Sequence, residues 1–252
     1  VTFHPDKLDE PLHYRKPRLI FVCSMGDLFH EEVKEEWLVA VFGAMFLAPQ
    51  HTYLLLTKRP QWAQELLLNA RSWRNDPPQN IWLGVTAENQ EQADMRIPIL
   101  LDIPAAGRFV SIEPMLGPVD LSDWIGRSRE CGPDHQFSDR FGYRGRLHWV
   151  IAGGESGPGA RPSHPDWARS LRDQCQVAGV PYFFKAWGEW APIGLLYTPY
   201  RSVYLADDGQ VVAPAEYAKG EAANRRPWRL ARVGKKRAGH LLDGQEWREF
   251  PA

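Results

Sequence analysis

Cysteine is scarce in this 252-residue sequence, and the three present, Cys23, Cys131 and Cys175, are scattered. Their odd number, wide spacing and lack of any Cys-x-x-Cys exclude a disulfide framework and a zinc knuckle. No apolar run reaches the ~18 residues of a membrane span. The opening Val1-Thr2-Phe3-His4-Pro5 has neither the basic start nor the apolar centre of a secretory signal. Charge of one sign is not in excess either: Lys plus Arg total 30, Asp plus Glu total 31, and the net charge is −1. Binding of nucleic acid through global positive charge is thereby excluded, but a local basic patch is not. With 44% hydrophobic and 12% aromatic residues the chain is not disordered and can bury a sizeable core. The expectation is a cytoplasmic protein without membrane association.

What is there is an alternation of strands and helices. Arg18 to Ser24 reads as a buried strand. Glu31 to Leu47 reads as a helix with Val33, Trp37, Leu38, Val41, Phe42 and Met45 on one face, ended by Pro49. Thr52 to Leu56 is a strand, and Pro60 opens a helix that turns Trp62, Leu66 and Leu67 inward. Asn80 to Val85 is a strand, followed by a helical stretch through Ala93 and Met95 that breaks near Pro98. Arg108 to Ile112 and Leu147 to Ala152 are strands. Pro165 to Ala178 is a helix with Trp167, Leu171 and Cys175 inward and Gly179 as terminator, and Pro181 to Phe184 is the last strand of the series. Near-continuous apolar strands separated by helices mark a parallel sheet covered on both faces. The fold class is α/β: a partial (β/α) barrel of about six parallel strands over residues 1–190, with an insertion loop at 126–145. Residues 191–252 read as a small irregular extension. It holds a hairpin within Tyr197 to Val212 and a basic stretch, Arg225 to Arg237.

Ligands meet such sheets at the carboxyl ends of the strands. Here those ends carry Ser24 and Asp27; Thr57, Lys58 and Arg59; Thr86, Glu88 and Asn89; Glu113; Glu155 and Ser156; Lys185 and Glu189. Burying unpaired charge is expensive, so this many charges imply a wet, functional cleft lined by at least four of them. Gly153-Gly-Glu-Ser-Gly-Pro-Gly159 reads equally as an anion cradle or as a tight turn, with Arg161 tilting the balance towards an anion. Asp27, Glu88, Glu113 and Glu155 offer oxygen ligands for a hard divalent metal, which makes a metal-dependent hydrolase the competing reading. His30, His51, His148 and His164 form no ligand pair and read as surface or capping residues, so no metal site is assigned. Ser24, Ser111 and Ser156 lack a nucleophile elbow. Cys23 reads as buried and structural. A third reading is a non-catalytic module whose basic stretch, with Trp228, docks a polyanion.

Six segments, in order, carry a resemblance: Phe21-Val-Cys-Ser-Met-Gly-Asp-Leu-Phe-His30, Leu56-Thr-Lys-Arg-Pro60, Trp82-Leu-Gly-Val-Thr-Ala-Glu-Asn89, Ser111-Ile-Glu-Pro-Met-Leu-Gly-Pro118, Gly153-Gly-Glu-Ser-Gly-Pro158 and Ala238-Gly-His-Leu-Leu-Asp-Gly244. Over nearly its whole length the chain resembles the phage and prophage protein family called phage gene product thirty-seven/sixty-eight, a domain of unknown function. That family resembles radical S-adenosylmethionine (SAM) enzymes. The resemblance implies a radical-SAM-type barrel, and SAM and a 4Fe–4S cluster as cofactors of the full-length protein. The cluster is held in that family by a three-cysteine segment after the first barrel strand. This sequence has no cysteine triplet, so it carries no cluster site of its own. It is either a truncated reading, as the non-initiating Val1 favours, or a natural form that lost the cluster.

The resemblance also implies roles by position. Ser24 and Asp27 would hold the amino group of the methionine moiety. Thr86, Glu88 and Arg96 would meet the ribose or carboxylate. Gly153, Gly154 and Glu155 would approach the adenine or carboxylate. Lys58, Arg59 and Glu113 would face the substrate. The substrate itself is undefined, with a nucleic acid or a phage-encoded protein as the expected class. A further expectation is that Asp27→Ala or Glu88→Ala abolishes ligand binding with little loss of stability.

Overall fold

The structure is a computed structural model that describes residues 1–126, 146–194, 196, 198–220 and 223–251. Most of the insertion loop, with Cys131 and His135, and the start of the hairpin at Tyr197 lie outside the described residues. Six strands form one sheet in sequence order, the strand order of a half-barrel. They are β1 (Leu19–Val22), β2 (Thr52–Thr57), β3 (Ile81–Thr86), β4 (Gly107–Ile112), β5 (Trp149–Ala152) and β6 (Tyr182–Phe184). The registers β1–β2, β2–β3 and β5–β6 are parallel. The intervening helices are α1 (Glu35–Leu47), α2 (Pro60–Asn69), α3 (Arg71–Asn75), α4 (Gln90–Leu101), α5 (Ser122–Ile125) and α6 (Pro165–Ala178). The expected α/β alternation is therefore present. Among the described residues no helix is long and apolar enough to cross a membrane.

The chain divides into two compact units. The first contains, of the described residues, 1–86, 95–110 and 146–147. Its core depends on glycines that make room for rings. A Cβ on Gly84 would lie 2.4 Å from the Phe109 ring, and one on Gly107 would lie 2.0 Å from Trp82. Phe109, Ile81, Val85 and Ile97 are fully buried around them. Arg108 is buried too, because its Nε and Nη2 both donate to the Ile103 carbonyl, at 3.0 and 2.8 Å.

Several local expectations are corrected in this unit. The helix expected from Glu31 starts at Glu35, because residues 27–33 form successive turns: His30 N–H bonds the Asp27 carbonyl, Glu32 N–H bonds His30 Nδ1, and Val33 N–H bonds the His30 carbonyl. Of its expected inward face only Met45 is fully buried, whereas Val39, Phe46 and Leu47 are exposed. On α2 the inward face is Pro60, Ala63 and Leu67, and Trp62 is half exposed. Pro98 does not break α4; buried Ile97, Leu100 and Ile103 flank it and offset the missing backbone donor. His51, expected at the surface, is buried, with Nδ1 accepting from Arg18 N–H and Nε2 on the Pro11 carbonyl.

The second unit contains, of the described residues, 87–94, 111–126 and 148–251. Helix α6 buries Trp167, Leu171 and Cys175 as expected, and Gly179 ends it in the left-handed conformation (φ 66°) with its N–H on the Cys175 and Gln176 carbonyls. The extension is not irregular. β7 (Trp190–Pro192), β8 (Ser202–Leu205), β9 (Val211–Val212) and β10 (Trp228–Arg232) form an antiparallel sheet ordered β7-β10-β8-β9. The expected hairpin is β8–β9, turning at Gly209 (φ 87°). The basic stretch supplies β10, a central strand: its Leu230 and Ala231 are fully buried. Alternation over five residues, interrupted by arginines, is too short a pattern to read as a strand. A short helix α7 (Pro214–Ala218) follows β9; a basic turn α8 (Lys235–Ala238) and the small hairpin β11 (Leu241–Leu242)–β12 (Gln245–Glu246) complete the unit. The chain end covers the open edge of β6, where Phe184 N–H bonds the Trp247 carbonyl and Tyr182 N–H bonds Glu249.

His164 caps α6 from a fully buried position. Its Nδ1 accepts the Asp166 N–H at 3.2 Å, which leaves Nε2 to donate to the Arg226 carbonyl at 2.9 Å. Burial holds its pKa below the ordinary 6.5, outweighing the raising effects of the Arg226 carbonyl and Asp166. The unfolded chain therefore binds this proton more readily, and stability falls as pH drops through about 6.5 towards the lower folded value. His164→Asn keeps a capping oxygen but cannot titrate. Urea unfolding from pH 7.5 to 5 should show a decline in the wild type that is smaller in this variant; equal declines would contradict the assignment.

Candidate functional site at the strand ends

In the first unit the ends of β1 and β2 are locked by one carboxylate. Asp27 Oδ1 accepts Phe29 N–H (3.0 Å) and the Thr57 hydroxyl (2.8 Å), while Oδ2 accepts Lys58 N–H (3.0 Å) and Arg59 Nη1 (3.2 Å). Thr57 Oγ1 in turn accepts Arg59 N–H at 2.8 Å. The carboxylate is only 13% exposed. Buried Leu28 and Phe29 anchor the loop on one side, and Met25 at its tip is fully in solvent. Ser24 and Cys23 are exposed beside it, which corrects the expectation of a buried Cys23. Cys23 turns the chain in the left-handed region (φ 55°), where it cannot continue β1. Thr86 is buried at the end of β3, and its carbonyl accepts Arg96 Nη1 at 2.7 Å. The structure thus brings Asp27, Thr57, Lys58 and Arg59 together, with Arg96 engaged on Thr86.

In the second unit the strand ends are stitched through backbone bonds. Gly153 N–H bonds the Ile112 carbonyl and Met115 N–H bonds the Gly153 carbonyl; Ala87 N–H bonds Ser111 and Leu116 N–H bonds Glu88. Lys185 N–H bonds the Ala152 carbonyl and Gly154 N–H bonds Ala186 at 2.8 Å. Two turns, 153–157 and 185–189, then pass closer than side chains permit. A Cβ on Gly154 would meet the Trp187 carbonyl oxygen at 2.0 Å, and one on Gly188 (φ 74°) would meet that of Glu155 at 2.1 Å. The Gly153, Gly154 and Gly157 amides are spent on Ile112, Ala186 and the Glu189 carboxylate. The glycine run is therefore a packing device, and these three donors are not turned to an anion.

Charge on this framework comes in pairs. Lys185 Nζ lies 2.9 Å from Glu113, which follows β4 and precedes Pro114. Arg161 clamps Glu155 with Nε and Nη2, both at 2.8 Å, and with its backbone N–H at 2.7 Å. The Arg161 side chain, more than the opposing burial, holds the Glu155 carboxyl below the usual range. Glu88 is nearly buried and adds to the field that holds the Arg161 cation. Of the expected residues, Glu88, Glu113, Gly153, Gly154 and Glu155 are strand-end residues of this unit. Lys185 and Arg161 complete the ion pairs. Lys185 was legible only as a polar strand end, since its partner lies 72 residues earlier in the chain.

Among the described residues the thiols do not fit an iron–sulfur cluster. Cys23 is exposed, Cys175 is buried in α6, and among the described residues no group of three or more His, Cys, Asp or Glu is placed to hold a metal. Burial also pushes the Cys175 thiol up to about 12, so it stays protonated. The rim carboxylates Asp27, Glu113 and Glu155 each face a cation within their own unit.

A model of the family described as "Protein of unknown function (DUF5131)" matches residues 1–251. No curated protein and no solved structure matches.

The bonding of Asp27 revises the expected mutational outcome. Asp27→Asn replaces a charge that four groups address, and should cost roughly 2–4 kcal/mol in urea unfolding. Glu88, nearly buried, is likewise no longer expected to be replaceable without loss. A change within about 0.5 kcal/mol for Asp27→Asn, the range of ordinary surface substitutions, would show that the knot does not hold the strand ends.

Proposed function

We propose, for a chain that belongs to this family of unknown function, that it is the SAM-binding body of a radical-SAM-like enzyme. The observation that carries the reading is the Glu113–Lys185 pair at the strand ends of the second unit. An amino-acid ligand presents the same two charges, an ammonium and a carboxylate, and exchanges with an exposed ion pair at little cost. Surface pairs are worth only about 0–1 kcal/mol, so opening this one is cheap. Lys185 then takes the carboxylate and Glu113 the ammonium of the methionine moiety. Glu88, a carboxylate with little solvent around it, is suited to accept hydrogen bonds from ribose hydroxyls. The resemblance of the ordered motifs to the phage and prophage family supports the reading, as does a parallel sheet with polar strand ends.

A 4Fe–4S cluster supplies the electron for reductive cleavage of SAM in enzymes of this type. The described residues do not fit such a cluster, so the proposal gives this chain the binding and orientation of SAM and no redox step. The reading as a divalent-metal hydrolase has less support, because three of its four carboxylates, Asp27, Glu113 and Glu155, are each engaged by a cation. Cytoplasmic location and a substrate drawn from nucleic acids or phage-encoded proteins accompany the proposal.

Equilibrium dialysis of labelled SAM against the 252-residue chain tests it. Saturable binding of one SAM per chain is expected, and Glu113→Gln and Lys185→Met should each weaken it by about tenfold, the equivalent of 1.4 kcal/mol. Methylthioadenosine, which lacks the amino-acid moiety, should bind both variants as it binds the wild type. Absence of saturable SAM binding, or SAM binding indifferent to both substitutions, would overturn the proposal.

A further inference from the structure

We infer that α8, with Tyr200 and Arg201, is a docking surface for single-stranded nucleic acid beside the strand ends of the second unit. The inference deepens the preceding proposal by naming a substrate class, but its direct evidence is separate. The turn α8 is opened by Gly234 (φ 87°) and closed by Gly239 (φ 74°). Both ends are tied to the segment that leaves β6. Val233 and Gly234 donate their N–H groups to the Glu189 carbonyl at 3.0 and 3.1 Å, and Trp187 N–H bonds the Gly239 carbonyl at 3.0 Å. That segment begins with Lys185 and closes on Gly154, so a basic turn is fixed to the same backbone that carries the proposed ligand pair.

Apart from the exposed Arg226, the basic residues of 225–237 divide by task. Arg225 pairs with Asp208, Arg229 donates to the Leu196 carbonyl, and Arg232 donates to the carbonyls of Gly157 and Pro158. These hold the fold. Lys235, Lys236 and Arg237 are exposed and enter no ion pair among the described residues. The Arg237 guanidinium lies over the Tyr200 ring, 5.6 Å from its centroid, and Tyr200 and the adjacent Arg201 are exposed. Four exposed cations, one of them over the exposed Tyr200 ring, match the two recurring features of an unpaired strand, phosphates and free base faces. An acidic protein surface would use the charges but would leave the ring and the guanidinium plane without a counterpart. Lysines bind phosphate as point charges, so recognition here is tolerant of sequence.

Fluorescence anisotropy of a labelled single strand of about 16 nucleotides tests the surface on the full 252-residue chain. With four phosphate contacts, log affinity should fall against log salt with a slope of roughly −3. The double variant Lys235→Glu, Lys236→Glu should weaken binding by at least about tenfold and flatten the slope by roughly 1.4. Tyr200→Ala should weaken the single strand several-fold while leaving heparin binding unchanged. Circular dichroism melting and SAM dialysis on the double variant separate the two claims: loss of oligonucleotide by a variant that melts like the wild type supports this surface whether or not the chain binds SAM, and the SAM dialysis bears on the preceding proposal alone. No binding at low salt, an unaffected double variant, or a Tyr200→Ala variant that loses neither ligand would overturn the inference; the last would mark a plain polyanion surface.

Discussion

The second unit depends on one close approach of backbone to backbone. At Gly154 and Gly188 two turns pass at a separation that no Cβ survives, and each turn carries half of the local chemistry. The first turn, after β5, brings Glu155 to Arg161; the second, after β6, brings Lys185 to Glu113 and anchors α8 through Glu189 and Trp187. Opening the crossing would separate these elements together. From sequence the glycine run reads about equally as an anion cradle or a tight turn, with Arg161 tilting the balance towards an anion. Here its donors face protein carbonyls and a carboxylate, so its small size serves packing, and charge is supplied by side chains placed around it.

The alternation of strands and helices was readable because buried parallel strands are apolar on both faces. A run such as Thr52 to Leu56 cannot be exposed without large cost, and Gly179 and Pro60 mark helix ends through constraints on φ that act locally. What escaped notice was decided by partners distant in sequence. Pro98 stays within a helix because Ile97 and Leu100 are buried around it. β10 is a central strand because β7 and β8 flank it, although its own five residues look like part of a charged tail. Asp27 was legible as important, but its engagement by Thr57, Lys58 and Arg59, thirty and more residues away, makes it a fastening. Arg161 and Lys185 became site residues only when their carboxylates were placed.

Charge at these strand ends is balanced locally, and that constrains function. A carboxylate already facing a guanidinium is a poor ligand for a hard cation, but an exposed ammonium–carboxylate pair is a ready counterpart for a zwitterion. The same principle divides the basic stretch, where arginines satisfied by carbonyls build the sheet and the cations left to solvent on α8 remain available to phosphate. On the two proposals, binding of an amino-acid-bearing cofactor and of a polyanionic substrate would fall to different side chains of one unit. Each would then be lost without the other.

The most direct test of the account is to locate the ligand by amide chemical-shift mapping of the ¹⁵N-labelled chain as SAM is added. The account predicts perturbations concentrated at Gly153, Gly154, Lys185 and Ala186, with the α6 amides unmoved. Saturating shifts that avoid these residues, or no shifts at all, would contradict the claim that the strand ends of the second unit are the binding site.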